Sequence, residues 1–219
     1  MKIDLPFHQS WIGEEEHLEV ADTLNSGWLT TGPKTKRFEE AFSDYIGCKH
    51  AIALNSCTAG LNLALEMQGF PEGDEVITTP MTFPATANVI LLQKMKPVLV
   101  DIEPGTLLID PTKIEEKITS RTRAIIPVHF AGHPCDMNTI NAIAEKHNLL
   151  VIEDAAHALE TKYQDKKVGN MGNTTSFSFY ANKNITTGEG GMVVTDDDDL
   201  AEHFQTMRLQ GITRDAWKR

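Results

Sequence analysis

The chain has 219 residues, a hydrophobic fraction of 41%, a charged fraction of 23% and a net charge of −11. This length suits one large domain, and no apolar segment approaches the ~20 residues that span a bilayer. The acidic balance argues against nucleic-acid and membrane partners, because both require a basic surface. The N-terminus lacks the apolar core of a signal peptide and the three cysteines form no C-x-x-C pair, so a cytoplasmic location is expected.

The first 47 residues are predicted to form a helical segment of two helices. Apolar residues between Leu18 and Leu24 are spaced for one helical face, and Gly27 follows as a stop. A second helix is expected to start at Pro33 and to end at Gly47. The acidic runs at 14–16 and 196–199 are expected to begin helices, where carboxylates favour the positive end of the dipole.

From Lys49 onward, short apolar runs alternate with stretches of helical periodicity. The runs predict strands at 51–54, 75–78, 97–101, 124–128, 149–152, 175–180 and 191–195. The stretches predict helices at 59–68, 85–94, 111–118, 137–147 and 200–209. This alternation is typical of βαβ units. It predicts an α/β fold, a three-layer sandwich with a mostly parallel central sheet, in residues 48–210. Residues 211–219 are expected to begin a connection to a C-terminal domain that the sequence lacks.

Ligands of such sheets bind outside the carboxyl ends of the strands, so the polar residues that follow the apolar runs are the candidates. Small residues at 55–60 precede a helix, and its N-terminus could hold a phosphate, although capping alone also explains them. Asp154 follows the fifth run. A buried carboxylate needs a cationic partner, and a protonated ring nitrogen is one; a helix cap or a structural ion pair is the alternative.

Lys183 follows the sixth run and precedes a glycine-rich turn. A lysine in a cleft can lose its proton and act as a nucleophile. The turn at 55–60, Asp154 and Lys183 together meet three needs of pyridoxal 5′-phosphate (PLP): a phosphate anchor, a partner for the pyridine nitrogen, and a Schiff-base lysine. Phe83 could stack on a planar ring or lie in the core. Ser178 could reach a phosphate.

Four segments then identify a family. Residues 26–33, 55–60, 152–158 and 178–191 resemble, in collinear order, the DegT/DnrJ/EryC1/StrS family of fold-type I, PLP-dependent nucleotide-sugar aminotransferases. The resemblance implies that the chain is the large PLP-binding domain of that fold. It also implies a role for each matching residue: Lys183 bonds the cofactor, Asp154 partners its pyridine nitrogen, His157 lies beside its phenolic oxygen, Phe83 stacks on its ring, Thr58, Ala59 and Ser178 contact its phosphate, and Trp28, Leu29 and Thr30 approach the substrate.

The resemblance further implies transfer of an amino group, from L-glutamate in most of the family, to a keto group of a nucleotide-linked sugar. Lys183, Asp154 and His157 are the expected catalytic residues, and a homodimer is the expected assembly. Two alternatives stay open. The chain could be a PLP-binding module that is too short to catalyse, or a PLP-dependent sugar dehydratase, in which histidine replaces the lysine.

Overall fold

A seven-stranded sheet lies between two layers of helices in the computed structural model, which describes Pro6 and residues 8–212. The strands are β1 His50–Leu54, β2 Glu75–Thr78, β3 Lys96–Leu99, β4 Thr122–Ile125, β5 Leu150–Asp154, β6 Lys162–Tyr163, β7 Lys166–Lys167, β8 Thr174–Ser178 and β9 Gly191–Thr195. The α-helices are α1 Glu14–Ser26, α2 Pro33–Ile46, α3 Cys57–Glu66, α4 Pro84–Leu92, α5 Met137–His147 and α6 Asp198–Met207.

The strand order is β1-β9-β8-β5-β4-β2-β3, and β6 and β7 form a separate hairpin. Strand β9 runs antiparallel to both β8 and β1, whereas the other pairs in the sheet are parallel. The mostly parallel sheet predicted from the sequence is therefore confirmed. Because parallel strands end at the same edge, β4, β5 and β8 bring their carboxyl ends together.

Side chains that alternate along the strands form a core on each face of the sheet. On one face, Ile52 and Val193 pack with residues of α3, α4 and α6. On the other face, Met192 packs with Phe42 of α2, and Val151 packs with residues of α5. Since both faces are covered by helices, the predicted three-layer sandwich is confirmed.

Local signals set the helix ends as the sequence predicts. Gly27 and Gly47 follow α1 and α2 in the left-handed conformation, with φ of 69° and 85°. The acidic runs begin α1 and α6, and the Asp197 side chain accepts a hydrogen bond from the Leu200 amide. These contacts satisfy backbone groups that would otherwise lack partners at the helix termini.

Three features differ from the sequence-based predictions. Residues 111–118 form two short 3-10 turns and no α-helix. The hairpin of β6 and β7 was not predicted, because its two-residue strands carry no apolar alternation. Helix α1 has the predicted periodicity but no buried residue. Within the described part of the chain, no helix is long and apolar enough to cross a membrane. Most of the predicted connection at 211–219, residues 213–219, lies outside the described residues.

Candidate active site

A cavity of about 640 Å³ opens at the carboxyl ends of β5 and β8, against the first turns of α3 and α4. Its volume lies within the range of roughly 300–1,000 Å³ that small-molecule sites occupy. Six of the residues singled out from the sequence line it: Thr58, Phe83, Asp154, His157, Ser178 and Lys183. They come from four separate segments of the chain, which the sheet topology brings together.

Asp154, the last residue of β5, is 5% exposed and faces neutral donors. The Thr86 hydroxyl lies 2.7 Å from Oδ2, and the Ala156 amide donates to Oδ1 over 3.2 Å. The Cys57 thiol lies 3.9 Å from Oδ1 and 3.3 Å from the Ser176 carbonyl, and burial raises the pKa of that thiol well above its usual range, so it stays protonated and uncharged. No basic side chain among the described residues forms an ion pair with Asp154. A buried carboxylate ordinarily has a cationic partner, so this one can accept a cation from a ligand.

Lys183 is half-buried in the turn between β8 and β9. Its backbone amide donates to the Tyr180 carbonyl over 2.9 Å, which fixes the turn. Within the described residues its amino group has no hydrogen bond or ion pair. Burial lowers the pKa of Lys183, and this effect outweighs the opposing attraction of Asp154. A larger fraction of this amine is therefore neutral and nucleophilic near neutral pH than for an ordinary lysine.

His157 is fixed in one tautomer by the loop that follows β4. The Ala131 amide donates to His157 Nδ1 over 3.3 Å, so the neutral ring carries its proton on Nε2. Burial and the nearby positive charge of Lys183 lower the pKa of His157, although Asp154 opposes this shift. The loop itself is strained at Ala131, where φ is 52°. His157 can therefore offer a single N–H donor to a ligand in the cavity.

The N-terminus of α3 forms one wall of the cavity. Ser56 caps the helix, since its Oγ accepts the Ala59 amide over 3.1 Å. The Thr58 amide has no hydrogen-bond partner among the described residues, and the positive end of the helix dipole adds to its attraction for anions. Ser178 lies across the same cavity and accepts the Tyr180 amide over 3.3 Å. This wall can hold a phosphate.

Four residues predicted for the site lie outside this cavity. Ala59 lines a separate cavity of about 500 Å³ beside Thr31. Trp28 and Leu29 are exposed, and the Trp28 ring N–H donates to the Thr31 carbonyl over 3.1 Å. Thr30 is exposed in the same loop. The structure thus separates the predicted substrate loop from the residues that line the main cavity.

Two residues that the sequence did not single out belong to the site. Cys57 lines the cavity and lies beside Asp154, and the Thr86 hydroxyl donates a hydrogen bond to Asp154. Thr86 is separated from Asp154 by 68 positions in the sequence, so no local pattern connects them. The only sequence signal is its position three residues after Phe83, on the same turn of α4.

The profile of the DegT/DnrJ/EryC1/StrS aminotransferase family matches residues 10–219. An uncharacterized protein of Methanocaldococcus jannaschii is 61% identical over 215 residues, which cover 98% of this chain and 56% of that protein. The spore coat polysaccharide biosynthesis protein SpsC of Bacillus subtilis is 52% identical and is covered to 55%. The PLP-form of Spr1654 from Streptococcus pneumoniae is 38% identical with a TM-score of 0.92, over 96% of this chain and 59% of that one. The chain spans about half the length of the curated relatives it matches.

Proposed function

We propose that this chain, which belongs to the DegT/DnrJ/EryC1/StrS aminotransferase family, binds PLP in the main cavity and supplies the cofactor-binding half of a sugar aminotransferase. The observation that carries the proposal is the pairing of two groups in that cavity. Lys183 offers an amine with no hydrogen bond or ion pair among the described residues, and Asp154 offers a buried carboxylate that forms no ion pair among them. PLP supplies a carbonyl for an amine, a basic ring nitrogen and an electron sink for charge that develops at the substrate carbon.

The residues of the cavity fit PLP group by group. Lys183 would hold the cofactor covalently through its amino group. Asp154 would accept a hydrogen bond from the protonated ring nitrogen, which would give the buried carboxylate its missing cation. Thr58 and Ser178 would bind the phosphate at the N-terminus of α3. Phe83 is 74% exposed at the edge of the cavity, so its ring is free to cover a planar ligand.

Lys183 and His157 divide the proton chemistry between them. When it is not bonded to the cofactor, the Lys183 amine can take a proton from the substrate carbon and return it, because its lowered pKa keeps part of it neutral. His157 cannot take a proton on Nδ1 while that atom accepts the Ala131 amide. We therefore assign His157 to donating a hydrogen bond from Nε2, and we assign the base to Lys183.

We extend the proposal to the substrates by family membership. The amino donor is an amino acid, with L-glutamate as the first candidate, and the acceptor is a keto group of a nucleotide-linked sugar. The 52% identity with SpsC, which is named for spore coat polysaccharide biosynthesis, supports a carbohydrate acceptor. A second cavity of about 560 Å³ shares His157, Asn182 and Lys183 with the first, so a substrate can approach the amine from that side.

Reductive trapping tests cofactor binding. The purified chain is mixed with PLP, reduced with borohydride, digested and analysed by mass spectrometry. We expect the pyridoxyl mass on the peptide that contains Lys183 and its loss in Lys183→Ala. Lys162→Ala is the matched control, because Lys162 lines the neighbouring cavity and should leave the label in place. Label spread over several lysines, or unchanged in Lys183→Ala, would refute the assignment.

A half-reaction with L-glutamate then separates binding from catalysis. Conversion of bound PLP to pyridoxamine phosphate, followed by the absorbance change, is the expected result for an aminotransferase. Trapping at Lys183 without conversion would favour the alternative of a PLP-binding module that needs further protein to catalyse. The experiment uses this chain, whose match covers 56% of its relative from M. jannaschii.

We also propose that the protein is a cytoplasmic homodimer. Helix α1 supports the dimer, since Leu18 and Leu24 are 62% and 63% exposed and no residue of the helix is buried. The free thiols of Cys48, Cys57 and Cys135 suit a reducing compartment, which supports the cytoplasmic location.

Light scattering tests the dimer. It should report a dimer that dissociates in the double variant Leu18→Glu/Leu24→Glu and persists in the control Leu99→Glu. A monomeric wild type, or equal effects of both variants, would contradict this arrangement.

A further inference from the structure

A buried hydroxyl supports the Asp154 carboxylate from helix α4. Thr86 has no exposed surface, and its Oγ1 lies 2.7 Å from Asp154 Oδ2. The Phe83 carbonyl is a second acceptor for this hydroxyl, at 3.3 Å. A hydroxyl has one proton, and a bond to a carboxylate is shorter and stronger than a bond to a neutral carbonyl. The Thr86 proton is therefore directed at Asp154.

A second threonine completes a directed pair of hydrogen bonds. Thr82 Oγ1 lies 2.6 Å from Thr86 Oγ1. Because the Thr86 hydroxyl donates to Asp154, its oxygen is left to accept, and Thr82 must be the donor. Each bond of such a chain polarises the next, so Thr82 strengthens the bond that Thr86 makes to the carboxylate.

Both threonines belong to the turn that begins α4, and Phe83 lies between them. Pro84 occupies the first position of the helix, and Phe83 precedes it with an extended backbone. The same turn thus presents the Phe83 ring to the cavity and directs the Thr86 hydroxyl at Asp154. This one segment would therefore act on a bound ring in two ways: directly through Phe83, and through the Asp154 carboxylate that Thr86 bonds.

We propose that Thr86 is a positioning residue for cofactor binding: its hydroxyl holds the Asp154 carboxylate in the orientation that receives a protonated ring nitrogen. The proposal rests on the proposed function. Among the described residues, Thr86 alone donates a hydrogen bond to Oδ2, so Oδ2 would lose that bond without the hydroxyl, whereas Oδ1 would keep the Ala156 amide. The carboxylate would then be free to rotate, and the nitrogen would lose part of its binding energy.

The test is the dissociation constant of PLP, measured by absorbance titration, together with thermal unfolding of each cofactor-free protein. Thr86→Val removes the hydroxyl with little change of shape, and we expect PLP to bind about tenfold more weakly, which corresponds to about 1.4 kcal/mol. Thr86→Ser restores the hydroxyl and should bring the affinity back to within about threefold of wild type.

Thr78→Val is the matched control. Thr78 is as fully buried as Thr86, but its hydroxyl donates to the Ile126 carbonyl over 2.8 Å and not to Asp154. We expect this variant to unfold at a lower temperature with an unchanged affinity for PLP. The absorbance maximum of bound PLP should shift in Thr86→Val and stay fixed in Thr78→Val, since only the former changes the surroundings of the ring nitrogen.

Three results would overturn the positioning role. They are a Thr86→Val affinity equal to wild type, a failure of Thr86→Ser to recover binding, and an equal loss of affinity in Thr78→Val. Each requires that wild type binds PLP, so each leaves the proposed function intact. A wild-type chain that fails to bind PLP would instead refute the proposed function, and the role of Thr86 with it.

Discussion

Substitution of Gly191 by alanine should displace the wall of the cavity that we propose as the phosphate site. Gly191 begins β9, and its Cα lies close to the backbone at the start of α3. A Cβ atom at this position would lie 2.3 Å from the Ser56 carbonyl carbon and 2.5 Å from the Cys57 nitrogen. Ordinary van der Waals contact begins at 3.4 Å, so the Cβ would be about 1.1 Å too close to the Ser56 carbonyl carbon. Because this atom belongs to the backbone, no side-chain rotation can relieve the clash. Overpacking of this kind costs about 1–3 kcal/mol, and backbone contacts favour the upper end.

Thermal and urea unfolding measure this cost. A loss of about 3 kcal/mol in a chain of this size corresponds to a Tm lower by about 6–12 °C. Gly105→Ala is the control, because a Cβ there meets nothing within 4 Å, and it should change stability by less than about 0.5 kcal/mol. PLP should also bind more weakly to Gly191→Ala, as α3 is moved. Equal stability of the two variants would refute the reasoning.

Two further predictions concern the groups that face the cavity. Burial lowers the pKa of Lys183, so its neutral amine should be populated from a lower pH than usual. The rate of trace acetylation at Lys183, measured by mass spectrometry as a function of pH, should therefore have its midpoint below pH 10.5. A midpoint at or above that value would contradict the burial of the amine. His157→Gln keeps an N–H donor and should retain PLP affinity, whereas His157→Ala should weaken binding by up to about tenfold; equal affinities would exclude a donor role.

The sequence predicted best where local chemistry determines structure. Helix α5 spans the predicted residues 137–147, because the Asp136 side chain accepts the Thr139 amide at its start and Asn148 adopts the left-handed conformation at its end. Strand β9 likewise spans the predicted 191–195. Residues 111–118 carry a similar start signal, in which the Asp110 side chain accepts the Thr112 amide. This short segment nevertheless forms two 3-10 turns and no α-helix.

The rest of the fold and site depends on packing between distant segments. The alternation of strands and helices indicates a sheet but not its order, and β9 inserts between β1 and β8. Periodicity predicted α1 correctly, yet none of its residues is buried. Lys183, Asp154 and Thr58 could be named from strand ends and a family resemblance. Thr86 could not, because its hydrogen bond to Asp154 joins residues 68 positions apart and exists only once the chain has folded.

Two consecutive carboxylates on β5 show why Asp154 is available to a ligand. Glu153 has no exposed surface, and two side chains of this protein bind it. His129 Nε2 lies 2.8 Å from Oε2, and the Asn173 side-chain Nδ2 donates to Oε1 over 2.8 Å. Asp154 points to the opposite face and receives only neutral donors. Strand β5 therefore carries one buried carboxylate, Glu153, with a basic side chain as partner. The next, Asp154, forms no ion pair among the described residues. A ligand that brings a cation to Asp154 would bind the folded chain and not the unfolded one, and it would therefore stabilise the fold.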